Sequence, residues 1–408
     1  MRYQETHPWI NFELNLCDTQ LINFWFQLGE AQSKCVHIAQ APLLPVVARR
    51  LHAVNLAKGA IGTTAIEGNT LTEEDALKLA ENKELDLPRS KEYLAQEVGN
   101  IINASNSLLS DLSNPETDKV KFQRLSVAKI RRFNQEVLNS LDLKENITPG
   151  EIRQYSVGVS HYIAPPAEDC EYLLQRLCDW LNSDDFKLSV LPGDSTIATG
   201  ILKAILAHLY IAWIHPFGDG NGRTARLIEL SLLLASGVPS AAAHLLSNYY
   251  NETRERYYLA LEKSSRDSRG ALNFIEYAVN GFVEQLESHL AIIQKEQMRL
   301  AWINFIHQSF DGKRGDAVAR QKALILEFTK KGLTEIDRSQ IRTISPKIEQ
   351  LYRNKTDKSI SRDLTALKGM KLIENFDRQK FRMTMIEHLL KMMPISNQKI
   401  LFPVTKQR

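Results

Sequence analysis

The chain has 408 residues, 43% hydrophobic, 24% charged and 8% aromatic, an average composition that excludes disordered, collagen-like and membrane-embedded classes and predicts two to three domains. Its 51 Lys+Arg against 48 Asp+Glu leave only +3, so the whole chain has no blanket attraction for nucleic acid or acidic lipid, and any basic surface is local. Cys17, Cys35, Cys170 and Cys178 show no C-x-x-C spacing, which argues against a disulfide framework or a zinc knuckle and fits a reducing compartment.

The N-terminal residues lack a basic stretch followed by an apolar one, so no secretory signal is expected. The apolar stretch Leu230 to Leu246 is broken by Ser236, Gly237, Pro239 and Ser240, too interrupted for a bilayer span of ~20 residues. A cytoplasmic protein without membrane association is expected. Apolar residues recur at helical spacing over most of the chain, which predicts a mainly α class. Thr72, with Asp75 three residues on, reads as a capping box opening a helix through Ala76, Leu77 and Leu79. Residues 154–166, QYSVGVSHYIAPP, look extended and predict a short hairpin. Cys170 and Cys178 read as core thiols. His161 and His208 lack the carboxylate spacing of a metal site and read as packed or surface histidines. Leu202, Ile205, Leu206 and Leu209 mark one buried helix, and Leu227, Ile228, Leu232 and Leu234 another that starts after Gly222 and stops near Gly237. Residues 309–316 predict a hinge.

The C-terminal quarter differs. Residues 321–408 carry 19 Lys+Arg and 9 Asp+Glu. Helices are predicted around Leu324 to Phe328, over Ile341 to Leu351 and from Ser359, followed by two short strands at Lys371–Asn375 and Phe381–Met385. That pattern predicts a winged helix.

Between the two apolar helices lies HPFGDGNGRTAR, residues 215–226. Pro216 ends the incoming helix, while Gly218, Gly220 and Gly222 let the backbone approach a ligand with its N–H groups turned inward. The outgoing helix points its N-terminus at the same place, an anion cradle suited to phosphate. Arg223 and Arg226 fall on one face of its first turn, where cations oppose the helix dipole unless an anion offsets them. Asp219 supplies a hard oxygen for Mg²⁺, and His215 is the side chain suited to a general base near neutrality.

This segment resembles the signature of the Fic family, HPFx(D/E)GNGRxxR, at every fixed position. The resemblance implies a Fic-type helical core that transfers AMP from ATP to a Ser, Thr or Tyr hydroxyl of a target protein. His215 would deprotonate the hydroxyl, Asp219 hold Mg²⁺, and Gly220, Asn221 and Gly222 line the anion hole. Phe217 would anchor the loop, and Arg223 and Arg226 contact phosphates; Gly218, Thr224 and Ala225 complete the expected nucleotide-binding set. Upstream, Thr63-Thr-Ala-Ile-Glu67-Gly68 resembles the family's inhibitory motif (S/T)xxxE(G/N), which implies that Glu67 pairs with Arg226 and blocks the γ-phosphate. Read without the signature, Thr63 to Glu67 is a helix end capped by Gly68.

The hairpin, with Val157, Gly158, Val159 and Ser160, resembles the flap that covers the nucleotide and aligns a target protein along residues 154–166. Ser160 stands where family members often carry Gly. Tyr257 and Tyr258 resemble the pair lining the adenine pocket, the alternative being ordinary helix packing. Ser265 stands where a polar Asn often follows. The organisation implied is an N-terminal helical region with the inhibitory helix (1–110), a catalytic core (111–300) and a winged-helix-like domain (317–408). The expected function is an adenylyltransferase using ATP and Mg²⁺, autoinhibited by Glu67 and able to form a homodimer. Two alternatives remain open: a hydrolase removing AMP through the same site, and a DNA-binding regulator acting through the winged helix, in which Lys358, Arg362, Lys368 and the wing residues Arg378, Lys380 and Arg382 would contact phosphates, although the partner could be nucleic acid or protein.

Overall fold

The computed structural model describes residues 2–14, 16, 21–114, 122–159, 162–183, 186, 196–266, 269–333, 335–375, 377 and 380–385. Cys17, Ser160, His161 and the wing residue Arg378 lie outside the described residues. The chain divides into two compact units, Met1–Leu290 and Ala291–Arg408.

In the first unit the described helices are α1 (Tyr3–Thr6), α2 (Ile22–Gln40), α3 (Pro45–Ala65), α4 (Glu73–Ala80), α5 (Glu92–Ser113), α6 (Val127–Val137), α7 (Cys170–Asn182), α8 (Thr196–Ile214), α9 (Asn221–Ala235), α10 (Ser240–Ala243), α11 (Leu245–Glu252) and α12 (Arg254–Ser264). α13 (Ala271–Ser309) contains the division between units. Local chemistry sets several ends. Thr72 and Asp75 form the expected capping box at α4, Ser126 caps α6 by accepting from the Lys129 N–H, and Pro45 takes the first turn of α3.

Helix α8 is apolar on every side and buried along almost its whole length, as a central helix must be. Among the described residues it is the one helix long and apolar enough to cross a membrane, and 78% of its apolar window is buried inside the protein. It packs along α9, with α6 against α9 and α7 against α8. Helix α3 packs on α4, α5 and α11, so the N-terminal helices and the core form one body. α3 seats closely on its neighbours: a Cβ at Gly59 would fall 2.4 Å from His244 Nδ1, and one at Gly62 would fall 2.9 Å from the Ser247 carbonyl.

The expected hairpin is present. β1 (Gly158–Val159) pairs antiparallel with β2 (Tyr162–Ile163), Val159 opposite Tyr162. Cys35, Cys170 and Cys178 are buried free thiols, and burial pushes Cys170 up to about 11 and Cys178 up to about 12.

The second unit contains α14 (Asp316–Lys330), β3 (Glu335–Asp337), α15 (Pro346–Tyr352), α16 (Asp357–Gly369), β4 (Ile373–Asn375) and β5 (Lys380–Met383). Its antiparallel sheet has the order β3-β5-β4. Leu324, Phe328, Ile341, Ile348, Leu364 and Leu367 pack with Trp302 and Ile306 in its core. The helix expected over Ile341 to Leu351 is broken. A 3₁₀ turn, Arg338–Thr343, is followed by α15, which Ser345 caps and Pro346 starts. Strand β3 was not expected; three residues are too few for alternation to register.

Candidate active site

The loop between α8 and α9 is held from four sides. His215 leaves α8 with φ +48°, a left-handed conformation that an L-residue adopts only when its surroundings enforce it. Arg153 supplies that enforcement. It is 3% exposed. Its Nε donates to the His215 carbonyl at 2.8 Å, and its guanidinium also donates to the carbonyls of Tyr155 (2.7 Å), Pro165 (2.6 Å) and Ile214 (3.4 Å). Its own backbone N–H donates to Pro216. One buried cation thus ties the histidine to both ends of the hairpin. Phe217 is 1% exposed and anchors the loop as expected.

Asn221 closes the loop on itself, accepting from the Phe217 N–H (2.9 Å) and donating to its carbonyl (2.8 Å). Its side chain is therefore engaged within the protein. Asn134 reaches across from α6 and donates to the Asp219 carbonyl and Thr224 Oγ1 while accepting from the Gly150 N–H. Thr224 and Ala225 are fully buried. Gly220, at φ +75°, turns the chain into α9. No side chain caps that helix, so its first N–H groups suit an anion.

Charge is concentrated at the same point. Arg226 is 1% exposed, and its Nη2 donates to Glu67 Oε1 at 2.5 Å and to the Thr63 carbonyl at 2.9 Å. Its Nε and Nη1, with Arg223 Nε, are buried and meet no acceptor among the described residues. Buried guanidinium donors without partners suit an anionic ligand. A Cβ on Gly222 would fall 2.2 Å from Glu67 Oε1, so the Glu67 carboxylate lies against the first turn of α9. Gly68, at φ +103°, ends the α3 segment that carries Glu67. Burial works to raise the Glu67 carboxyl, but the charge and hydrogen bond of Arg226 outweigh it and hold it below its usual range.

Arg223 donates to Glu97 Oε1 (2.8 Å) and Asp219 Oδ1 (3.2 Å). Glu97 also accepts from Asn69, linking the loop to the turn after Gly68. His215 is part-buried. Burial, aided by the nearby Arg153 charge, pushes its imidazole down to about 4, so at neutral pH it is uncharged and able to accept a proton.

The two tyrosines part company. Tyr257 is buried against Tyr250 and Phe274, its hydroxyl 3.0 Å from His208 Nε2. His208 is a core residue, with Glu229 3.3 Å from its Nδ1. Tyr258 is 42% exposed and donates to the Ile66 carbonyl, touching the end of the segment that carries Glu67. In the hairpin Val159 and Ile163 are exposed. The Ile163 carbonyl lies 2.8 Å from His7 Nε2, and Tyr162 Oη donates to the Trp213 carbonyl. Sequence reasoning missed Arg153, Asn134, Glu97 and His7. The long-range partners of Arg153, Asn134 and His7 are largely backbone atoms of distant segments, which leave no spacing to detect.

Residues 124–233 match the family model described as Fic/DOC family. The chain is 30% identical over 217 residues to "Protein adenylyltransferase Fic" of Drosophila willistoni, covering 52% of this chain and 38% of that protein. It is 31% identical over 199 residues to "Protein adenylyltransferase fic-1" of Caenorhabditis elegans, covering 49% and 34%. It thus spans less than two fifths of the curated relatives' length. Among solved structures, a Fic family protein from Desulfovibrio desulfuricans G20 matches with TM-score 0.53 and 20% identity, over 91% of this chain and 97% of that one. Fic-1 from C. elegans matches with TM-score 0.51 and 22% identity, over 66% and 72%. The fold is that of these proteins.

Proposed function

We propose that this chain transfers AMP from ATP to a hydroxyl of a target protein and that Glu67 holds it in a resting state. The Fic/DOC domain and relatives named protein adenylyltransferase support the reaction class. The observation that carries the reading is the Glu67 carboxylate paired with Arg226 against the uncapped first turn of α9. A phosphate chain would bind there, taking the free donors of Arg226 and Arg223 and the N–H groups near Gly222. Neutral His215 accepts the proton of the incoming hydroxyl, whose oxygen bonds to the α-phosphorus as the bond to pyrophosphate breaks. Exposed Val159 and Ile163 on the hairpin offer the target an apolar foothold beside the strand edge.

Among the described residues no group of three or more His, Cys, Asp or Glu could hold a metal alone. Asp219, with 45% of its side chain exposed, suits Mg²⁺ shared with phosphate oxygens, where the ion would neutralise developing charge. Exposed Tyr258 is read as bordering the nucleotide, and buried Tyr257 as part of the core behind it. The second unit is read as a winged helix, from its helices α14 to α16 and three-stranded sheet, and the chain as cytoplasmic.

The test is His215→Ala with α-labelled ATP and a protein acceptor. Transfer should fall by ~10²–10⁴-fold while ATP binding persists. Unchanged transfer would remove the base from the mechanism.

A further inference from the structure

In the second unit one helix buries an acid and exposes its bases. Helix α16 contains two aspartates, Asp357 and Asp363. Asp363 is 1% exposed and accepts from Arg320 Nε (2.7 Å), Arg320 Nη2 (3.2 Å), Gln321 Nε2 (2.8 Å) and Tyr352 Oη (2.9 Å). That node fixes α14, α15 and α16 to one another and removes the carboxylate from the surface. Asp357, at the helix start, accepts from Arg342 Nη2 at 3.0 Å. The same guanidinium donates to the carbonyls of Tyr352 and Lys355, pinning the turn between α15 and α16.

Asp357 is exposed but paired with Arg342, and the exposed charges further along α16 are cations. Ile360, Leu364 and Leu367 of α16 face the core. On the other side Lys358, Arg362, Thr365 and Lys368 are exposed, with Ser361 half-buried among them. Spacings of three and four residues place them in one stripe. Arg353 and Lys355 in the preceding turn are exposed too. The stripe combines cations with hydroxyls that donate and accept, the mixture that phosphates and base edges require.

We infer that the second unit docks double-stranded DNA through α16, its cations contacting backbone phosphates while the helix lies in the major groove. A helix ~10–12 Å across fits a B-form major groove ~12 Å wide, whereas the A-form groove is too deep and narrow to admit it. This inference is independent of the adenylyltransferase reading, because it uses no residue of the first unit.

The experiment titrates the full chain against a fluorescein-labelled, mixed-sequence DNA duplex by anisotropy at about 50 to 200 mM NaCl. Binding should weaken steeply with salt. Lys358→Glu/Arg362→Glu should lower affinity by about tenfold or more and make the log–log salt slope shallower by about two. Lys358→Gln/Arg362→Gln, which adds no opposing charge, should give the same slope change and decides the matter if the glutamate variant does not fold. Lys144→Ala, in the first unit, should change neither. Wild-type affinity and slope in the folded double variants would overturn the inference. So would equal binding of duplex RNA, or binding of poly-glutamate without DNA, which would indicate an acidic protein partner.

Discussion

Arg153 gives the sharpest lever on how the site is assembled. Arg153→Met keeps the stem and removes every donor from four carbonyls, those of Tyr155, Pro165, Ile214 and His215. No carboxylate pairs with this guanidinium in the described structure, so its stabilising contribution is the hydrogen bonds themselves. Each buried acceptor left empty costs ~1–3 kcal/mol, reduced where water can enter, and ~3–5 kcal/mol in all is expected. The catalytic effect is separate. Without the clamp His215 need not hold φ +48°, and a displacement of ~1 Å at the reacting group costs ~100-fold in rate. The sign of the pH effect also follows. Arg153 is one cause of the lowered His215 pKa, after burial. In the proposed mechanism neutral His215 is the active form, so activity is lost as pH falls through its pKa. Removing Arg153 raises that pKa, and the acid limb of the rate profile should move to higher pH than in the matched Arg153 protein. Single-turnover AMP transfer against pH, in the Glu67→Gly background, reads both effects, with thermal denaturation confirming a folded variant. A folded Arg153→Met protein with unchanged rate and acid limb would refute the reasoning.

Other variants probe other parts of the account. Gly62→Val puts a side chain where a Cβ would fall only 2.9 Å from the Ser247 carbonyl; overpacking of ~1–3 kcal/mol should lift α3 and raise transfer ~5- to 100-fold, measured by labelled AMP on an acceptor protein. Asp363→Asn leaves Arg320 buried without its counter-charge and should destabilise the second unit by ~3–5 kcal/mol, seen as an earlier thermal transition with AMP transfer retained. Asn134→Ala should loosen the loop by removing donors to Asp219 and Thr224, lowering stability by ~2–3 kcal/mol in a denaturant titration.

The loop was legible in the sequence because its chemistry is local. Glycines, a proline, two arginines and a histidine within twelve residues state a turn into a helix N-terminus, and the structure places them there. The pairing of Glu67 with Arg226 spans 159 positions; it was reached only through resemblance, since no spacing rule joins residues so far apart. Arg153 and Asn134 escaped notice for the same reason, their partners being mainly backbone atoms that any sequence supplies. In the second unit composition announced the basic character, but not the burial of Asp363, which depends on Arg320, Gln321 and Tyr352 converging from two other helices.

The most direct test is AMP transfer by Glu67→Gly at saturating Mg·ATP, beside wild type and Glu67→Gly/Arg226→Ala. A charge-assisted pair contributes ~1.5–3 kcal/mol, so release of Arg226 should raise transfer by about one to two orders of magnitude, and loss of Arg226 should abolish the gain. Glu67→Gly no more active than wild type, with matched folding, would contradict autoinhibition; loss of AMP removal in that variant would assign Glu67 to the hydrolytic direction instead.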